Sequence, residues 1–117
     1  MAKLNKYRAK RTVIDGIPFA SQKEALRYRE LRLLQRAGEI EDLTLQPRFR
    51  LYIEQQPILI RSNGYPNGRQ ATYLADFQYK DKNGVLVVED VKGMDTPVSR
   101  LKRAIVEAQY RIRVELI

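Results

Sequence analysis

Apolar and polar residues alternate along Thr72-Tyr73-Leu74-Ala75-Asp76-Phe77-Gln78-Tyr79, the period-two signature of a β-strand. Asp81-Lys82-Asn83-Gly84 reads as the turn that follows, because Asn and Gly accept the positive φ that hairpin turns need. Val85-Leu86-Val87-Val88 is then a β-branched run of the kind covered on both faces. Upstream, residues 13–19 predict a small hairpin turning at Asp15-Gly16 and kept at an edge by Pro18. Ser21-Gln22-Lys23-Glu24 is a capping box that opens a helix ended by Gly38. Ala25, Tyr28, Leu31, Arg32 and Gln35 fall near one face, with Leu26, Leu33, Leu34 and Ala37 widening the apolar side. Residues 43–53 predict extended chain bent at Pro47, which cannot donate to a ladder, and Ile58-Leu59-Ile60 a further extended piece. Residues 61–70, punctuated by Asn, Gly and Pro, read as a mobile polar loop whose two arginines and Tyr65 suit probing DNA, or equally as a plain hairpin connection. Thr96-Pro97 opens a second helix with Val98, Leu101, Ile105 and Ala108 as its buried stripe. Residues 110–117 alternate as a closing strand.

The second central strand runs into Glu89-Asp90-Val91-Lys92-Gly93. Residues two apart share a strand face, so Asp90 and Lys92 point one way and Val91 the other. Pairing across the turn brings Asp76 to the neighbourhood of Asp90. Carboxylates of Asp76, Asp90 and Glu89 meeting there suit a hard divalent cation such as Mg²⁺, which takes oxygen ligands and leaves waters for a phosphate. An adjacent lysine suits the orientation of water or the charge of a phosphoryl transition state. The bland alternative is a surface salt bridge between Lys92 and a neighbouring acid. Glu24 is accounted for as a helix cap, and its place in the first turn also lets it reach a metal site beside the sheet.

Composition narrows the chemistry. The chain has no His and no Cys, which removes the commonest general base, thiolate zinc sites and disulfides. Catalysis must rest on carboxylates, Lys, Tyr or a bound metal. With 22 Lys and Arg against 14 Asp and Glu, the formal charge of +8 favours a polyanionic partner, most simply nucleic acid. No apolar run is long enough for a membrane span or signal segment, so neither a membrane protein nor a secreted one is expected. Residues 1–11 form a basic, flexible arm, with Lys6, Arg8, Lys10 and Arg11 as candidate phosphate contacts. Arg48, Arg50, Arg61, Arg69, Arg100, Lys102 and Arg103 are the others, and they carry no base specificity by themselves. The remaining residues, 12–117, are short enough to form one domain.

The succession of helix, bent strands, strand with Asp, strand with Asp-x-Lys, helix and strand resembles the PD-(D/E)XK nuclease superfamily. FASQKEALRYREL followed by YLADFQY and VVEDVKG is similar, more closely, to a small phage and prophage family of that superfamily. That family was long catalogued only as a domain of unknown function, and is related in pattern to phage Holliday junction resolvases. The resemblance implies an α/β fold with a restriction-endonuclease-like core, a central mixed sheet flanked by helices. It implies that Asp76, Asp90 and Glu24 hold Mg²⁺, with Mn²⁺ as a substitute, and that the Val91 carbonyl adds a ligand. Lys92 takes the place of the signature lysine and Asp90 that of its acid, while Ala75 stands where the signature has Pro. The implied activity is endonucleolytic hydrolysis of branched DNA in phage recombination or replication, by a homodimer in the cytoplasm of a bacterial host. Two alternatives stay open: a non-catalytic basic nucleic-acid-binding module, and a nuclease acting on plain duplex.

Overall fold

The structure, a computed structural model, describes residues 11–117, so Lys6, Arg8 and Lys10 of the basic arm lie outside the described residues. Strands β1 (Thr12–Ile14) and β2 (Ile17–Phe19) pair antiparallel around Asp15 and Gly16, whose φ values of 54° and 76° are those a two-residue hairpin turn demands. Ser21 caps α1 (Gln22–Arg36), its hydroxyl accepting the Glu24 N–H at 3.1 Å. The helix closes on Gly38 at φ 78°, which donates to the Gln35 carbonyl while Glu39 donates to Leu34. Its buried stripe is Glu24, Ala25, Tyr28 and Leu31, whereas Leu26 and Leu33 face solvent.

Pro47 does break the next strand. The chain runs through β3 (Glu41–Leu45), turns at Gln46 with φ 52°, and resumes as β4 (Arg48–Arg50). Two hairpins follow, β5 (Tyr52–Ile53) with β6 (Gln56–Pro57), and β7 (Leu59–Ser62) with β8 (Tyr65–Gln70). The second takes the hairpin alternative at 61–70 in place of an irregular loop, since most of that stretch is paired strand. Gly residues there serve a tight turn and a close strand approach instead of disorder: a Cβ on Gly68 would lie 2.9 Å from the Leu59 Cβ.

The alternating stretch around Asp76 is two strands, β9 (Thr72–Leu74) and β10 (Phe77–Lys80). It breaks opposite the Pro47 bend, where β9 pairs with β4 and β10 pairs with β3. After the turn at 81–85 comes β11 (Leu86–Asp90), then α2 (Pro97–Tyr110) capped by Thr96, then β12 (Val114–Leu116). The main sheet has order β12-β11-β10-β3 and is mixed: β11 runs parallel to β12 and antiparallel to β10.

Two apolar clusters lie on opposite faces of this sheet. Phe19, Ala25, Tyr28, Leu31, Ile40, Phe77 and Tyr79 pack under α1, with Val87 and Val91 beside them. Phe49, Leu51, Ala71, Tyr73, Ala75, Val88 and Val114 pack with Val106 of α2. Each face of β11 therefore meets a different helix, as the β-branched run led one to expect. That cover is confined to the C-terminal half of the strand, because Val85 and Leu86 are exposed. The α2 stripe is also different from the expected one. Val98 and Leu101 point to solvent, and Arg103 and Val106 point inward.

Candidate active site

The Pro47 bend is what aims Asp76. With no N–H at Pro47, the antiparallel ladder gives way to a corner, where Gln46 donates to the Asp76 carbonyl and Ala75 to the Pro47 carbonyl. Asp76 leaves the strand at that corner, and its Oδ2 accepts the Val91 N–H at 2.7 Å. The register of β10 on β11, with Phe77 opposite Glu89, brings it beside Asp90 as the sequence predicts.

Asp90 is buried, and Oδ2 accepts from the Tyr73 hydroxyl and from Lys92 Nζ at 3.0 Å. Lys92 Nζ also donates to Ser99 Oγ at 2.9 Å, in the first turn of α2. The lysine is thus held between a strand-end acid and a helix start, on the same side as Asp90. Glu24 joins from the other helix. It lines a cleft of about 290 Å³ together with Asp76, Phe19, Leu45 and Gln46. The reciprocal bond of a capping box, from the Ser21 N–H to the Glu24 side chain, is not made among the described residues. That carboxylate faces the cleft instead.

Asp76 carries the electrostatic signature of the cluster. Burial, then hydrogen bonding to Asp90, push its carboxyl up to about 8, with the charges of Glu24 and Asp90 adding to the rise and the Val91 N–H opposing it. An acid whose folded pKa lies far above its unfolded value of ~3.8 keeps a proton that the unfolded chain releases. Its favourable contribution is complete below pH ~4 and is lost as the pH climbs to about 8. We therefore expect metal-free protein to lose stability steadily over that interval, and Asp76→Asn to remove most of the slope. Urea midpoints of the two proteins in EDTA at pH 5 and pH 8 check this: the variant should overtake the wild type only at the higher pH.

Metal fit follows from the same crowding. The donors are all carboxyl and carbonyl oxygens, with Glu24 and Asp76 on the cleft and Asp90 beside Asp76, which matches a hard cation and disfavours a soft one. Among the described residues, however, no group of three acids is already arranged as a ligand cage. Asp76 and Asp90 are engaged with Val91, Tyr73 and Lys92. The donors fit in kind, and a cation would have to draw them together.

Glu89 belongs elsewhere. It points to the α1 face, is 1 % exposed, and receives both Nε and Nη2 of Arg27 at 2.8 and 2.6 Å, as well as the Tyr79 hydroxyl. Glu89, grouped with Asp76 and Asp90 on sequence grounds, is thus turned away from them and neutralised by Arg27. Arg27 is held protonated chiefly by that hydrogen-bonded pair. Nothing in the sequence marked Arg27, Tyr73 or Ser99 for these contacts, although a Tyr in a buried strand always raises the question of where its hydroxyl goes. Lys23 was also missed; its Nζ reaches the Lys92 carbonyl at 3.3 Å.

The remaining candidate cations divide into two groups. Arg11, Arg48, Arg50, Arg61, Arg69 and Arg100 are exposed, and Lys102 is half-buried. Arg103 is different: it is buried and paired through both terminal nitrogens with Asp95 at 3.0 and 2.8 Å, which also holds the Asp95 carboxyl below its usual range. It anchors the loop before α2, with its charge already met by Asp95 and little of its side chain exposed.

The described residues define a mixed α/β protein in which a mixed sheet lies between two helices and ends in a cluster of acids and one lysine. No helix among them is long and apolar enough to cross a membrane. By sequence, the chain belongs to the family described as Protein of unknown function (DUF1064), whose model matches residues 4–117. No curated protein and no solved structure matches it.

Proposed function

We propose that this protein is a Mg²⁺-dependent DNA endonuclease of the PD-(D/E)XK type, with a restriction-endonuclease-like core and a preference for branched DNA. The observation that carries the reading is the meeting of Asp76, Asp90 and Lys92 at one sheet end, with Glu24 on the adjoining cleft. Glu24, Asp76, Asp90 and the Val91 carbonyl would hold the cation, Mg²⁺ or Mn²⁺. When bound, it supplies Lewis-acid polarisation of the phosphate and a water of lowered pKa. Lys92, fixed by Asp90 and Ser99, orients the attacking water and offsets charge on the phosphorane. Hydrolysis joins the water oxygen to phosphorus and breaks the bond to the departing deoxyribose oxygen, which takes a proton as the water loses one. Exposed Arg48, Arg50 and Arg100 supply sequence-independent phosphate contacts. Junction resolution cuts two strands, so the active species is a homodimer with one site per strand. The setting is the cytoplasm of a phage-infected or lysogenic bacterial host.

A second reading, a non-catalytic DNA-binding module, draws on the engagement of Asp76 and Asp90 by protein groups in place of a ready cage. A labelled four-way junction and its matching linear duplex, each with Mg²⁺, Mn²⁺ or EDTA, separate the two. Metal-dependent cutting of the junction by the wild type, lost in Asp90→Ala, is the expected result. Equal cutting of both DNAs retains the nuclease and removes the junction preference. Binding without cutting under every metal leaves the module.

A further inference from the structure

The β7–β8 hairpin stands outside both apolar clusters, since no residue from Leu59 to Gln70 belongs to either. Its root is firm: Ala71 donates to the Ile58 carbonyl at 2.8 Å, Ile58 to Leu51, and Leu51 to Ala71. Beyond that root every residue from Leu59 to Asn67 is exposed. Leu59 is 53 % exposed, Ile60 47 % and Tyr65 45 %, an apolar load that the fold itself does not use. Other large apolar residues of the chain are as exposed, so the ribbon is set apart by its reach beyond both clusters and its charge, with these side chains available to a partner.

Its chemistry points to one kind of partner. Arg61 and Arg69 are its charges, and no acid occurs between Glu54 and Asp76. Arg69 lies 4.8 Å from the Tyr65 ring centroid, which holds its guanidinium in place before any ligand arrives. Asn63 and Asn67 add exposed amide donors and acceptors, while the Gln70 amide is used at the root, donating to the Leu51 carbonyl at 3.1 Å. Gly68, at φ 88°, lets Leu59 and Arg61 close over the strand, which keeps the ribbon thin. A two-stranded ribbon fits the ~12 Å major groove of duplex DNA, where Arg reads guanine and apolar side chains meet thymine methyls. From the ribbon root the chain continues through β9, flanked in register by Arg50 opposite Thr72 and Arg48 opposite Leu74, to Asp76. At ~3.3 Å per residue, Ala71 at the root and Asp76 are at most about 17 Å apart along the chain.

We propose that the β7–β8 ribbon inserts into the major groove of a duplex arm and that Arg50 and Arg48 carry the backbone from it towards Asp76. This rests on the reading of the protein as a DNA-acting one, but it concerns binding and stands whether or not the DNA is cut. The test uses two variants in EDTA. One replaces residues 59–70 by Asn-Gly, a turn that the Ile58–Ala71 contact already closes. The other is Arg61→Ala with Arg69→Ala, which leaves the ribbon intact.

Kd is measured for a duplex and a junction over a salt series, with dimethyl sulfate probing of guanine N7 in the major groove and adenine N3 in the minor groove. The expected result is a roughly 10- to 100-fold weaker Kd for both variants, and a salt slope lower by about two for the double variant. N7 protections should be present with wild type and absent after ribbon removal. Circular dichroism and melting should show the shortened chain still folded. Unchanged Kd and N7 protection in both variants overturn the proposal, as does loss of N3 protection alone, which would place the ribbon in the minor groove. A fall in self-association with DNA binding intact also overturns it, and makes the ribbon a protein contact. Failure of the nuclease reading shows separately, as wild-type binding and protection without cleavage in Mg²⁺.

Discussion

On the nuclease mechanism proposed above, replacing Lys92 by alanine should lower the single-turnover rate of junction cleavage by about 10²- to 10³-fold and leave DNA affinity within a few-fold of wild type. That magnitude is what removal of one preorganised charge stabiliser costs when it acts on the transition state. The proposed role needs a positioned ammonium, and Nζ contacts Asp90 at 3.0 Å and Ser99 at 2.9 Å. Lys92→Arg should fail to restore the rate, since a planar fork does not occupy the position of a compact ammonium. Ser99→Ala frees one side of the lysine and should reduce the rate by a smaller factor. The decisive comparison is the rate at saturating protein against Kd in EDTA. If Lys92→Ala cleaves as fast as wild type, the lysine is only the ion-pair partner of Asp90 and the mechanism proposed for it falls.

Arg27→Ala destabilises the fold by about 3–5 kcal/mol, the usual consequence of removing one partner from a buried ion pair. The Glu89 side chain is 2 % exposed and would keep only the Tyr79 hydroxyl. For a domain of this size the loss corresponds to a melting temperature lower by roughly 10–20 °C. The contrast is the triple change Arg27→Met, Glu89→Leu and Tyr79→Phe, which removes the whole network and should recover most of the stability. Calorimetry of the two variants checks this. If the single and triple changes melt alike, the pair contributes by packing and not by charge. The network also bears on the site. Arg27 follows Glu24 by one helical turn and ties α1 to β11 beside Asp90, so it sets where Glu24 stands relative to the acids it faces.

Elements set by local chemistry were legible in the sequence. The Asp15-Gly16 hairpin, the Ser21 and Thr96 caps, the Gly38 terminus and the Pro47 bend each depend on residues with narrow backbone preferences. They appear where those residues stand. The spacing of Asp90 and Lys92 and the pairing of the central hairpin also follow from strand period and turn position alone, and they place Asp76 by Asp90.

Other features needed the tertiary structure. An apolar stripe says that a face prefers burial, but it does not say whether a neighbour exists to cover it. In α2, Val98 and Leu101 remain outside because the Asp95 loop draws Arg103 inward. Residues 61–70 read equally as a loop or a plain hairpin, because Gly, Pro and Asn content signals turns and cannot distinguish a loop from a glycine-thinned ribbon. Glu89 and Asp90 are adjacent acids of similar chemistry. Only the two sheet faces separate them, one meeting Arg27 on α1 and the other Lys92 and Tyr73. The sequence alone determined which acids and which lysine share a sheet end. The packing of two helices on opposite faces decided which carboxylate is neutralised by arginine and which are left crowded around the cleft, because burial and charge pairing depend on neighbours far away in the chain.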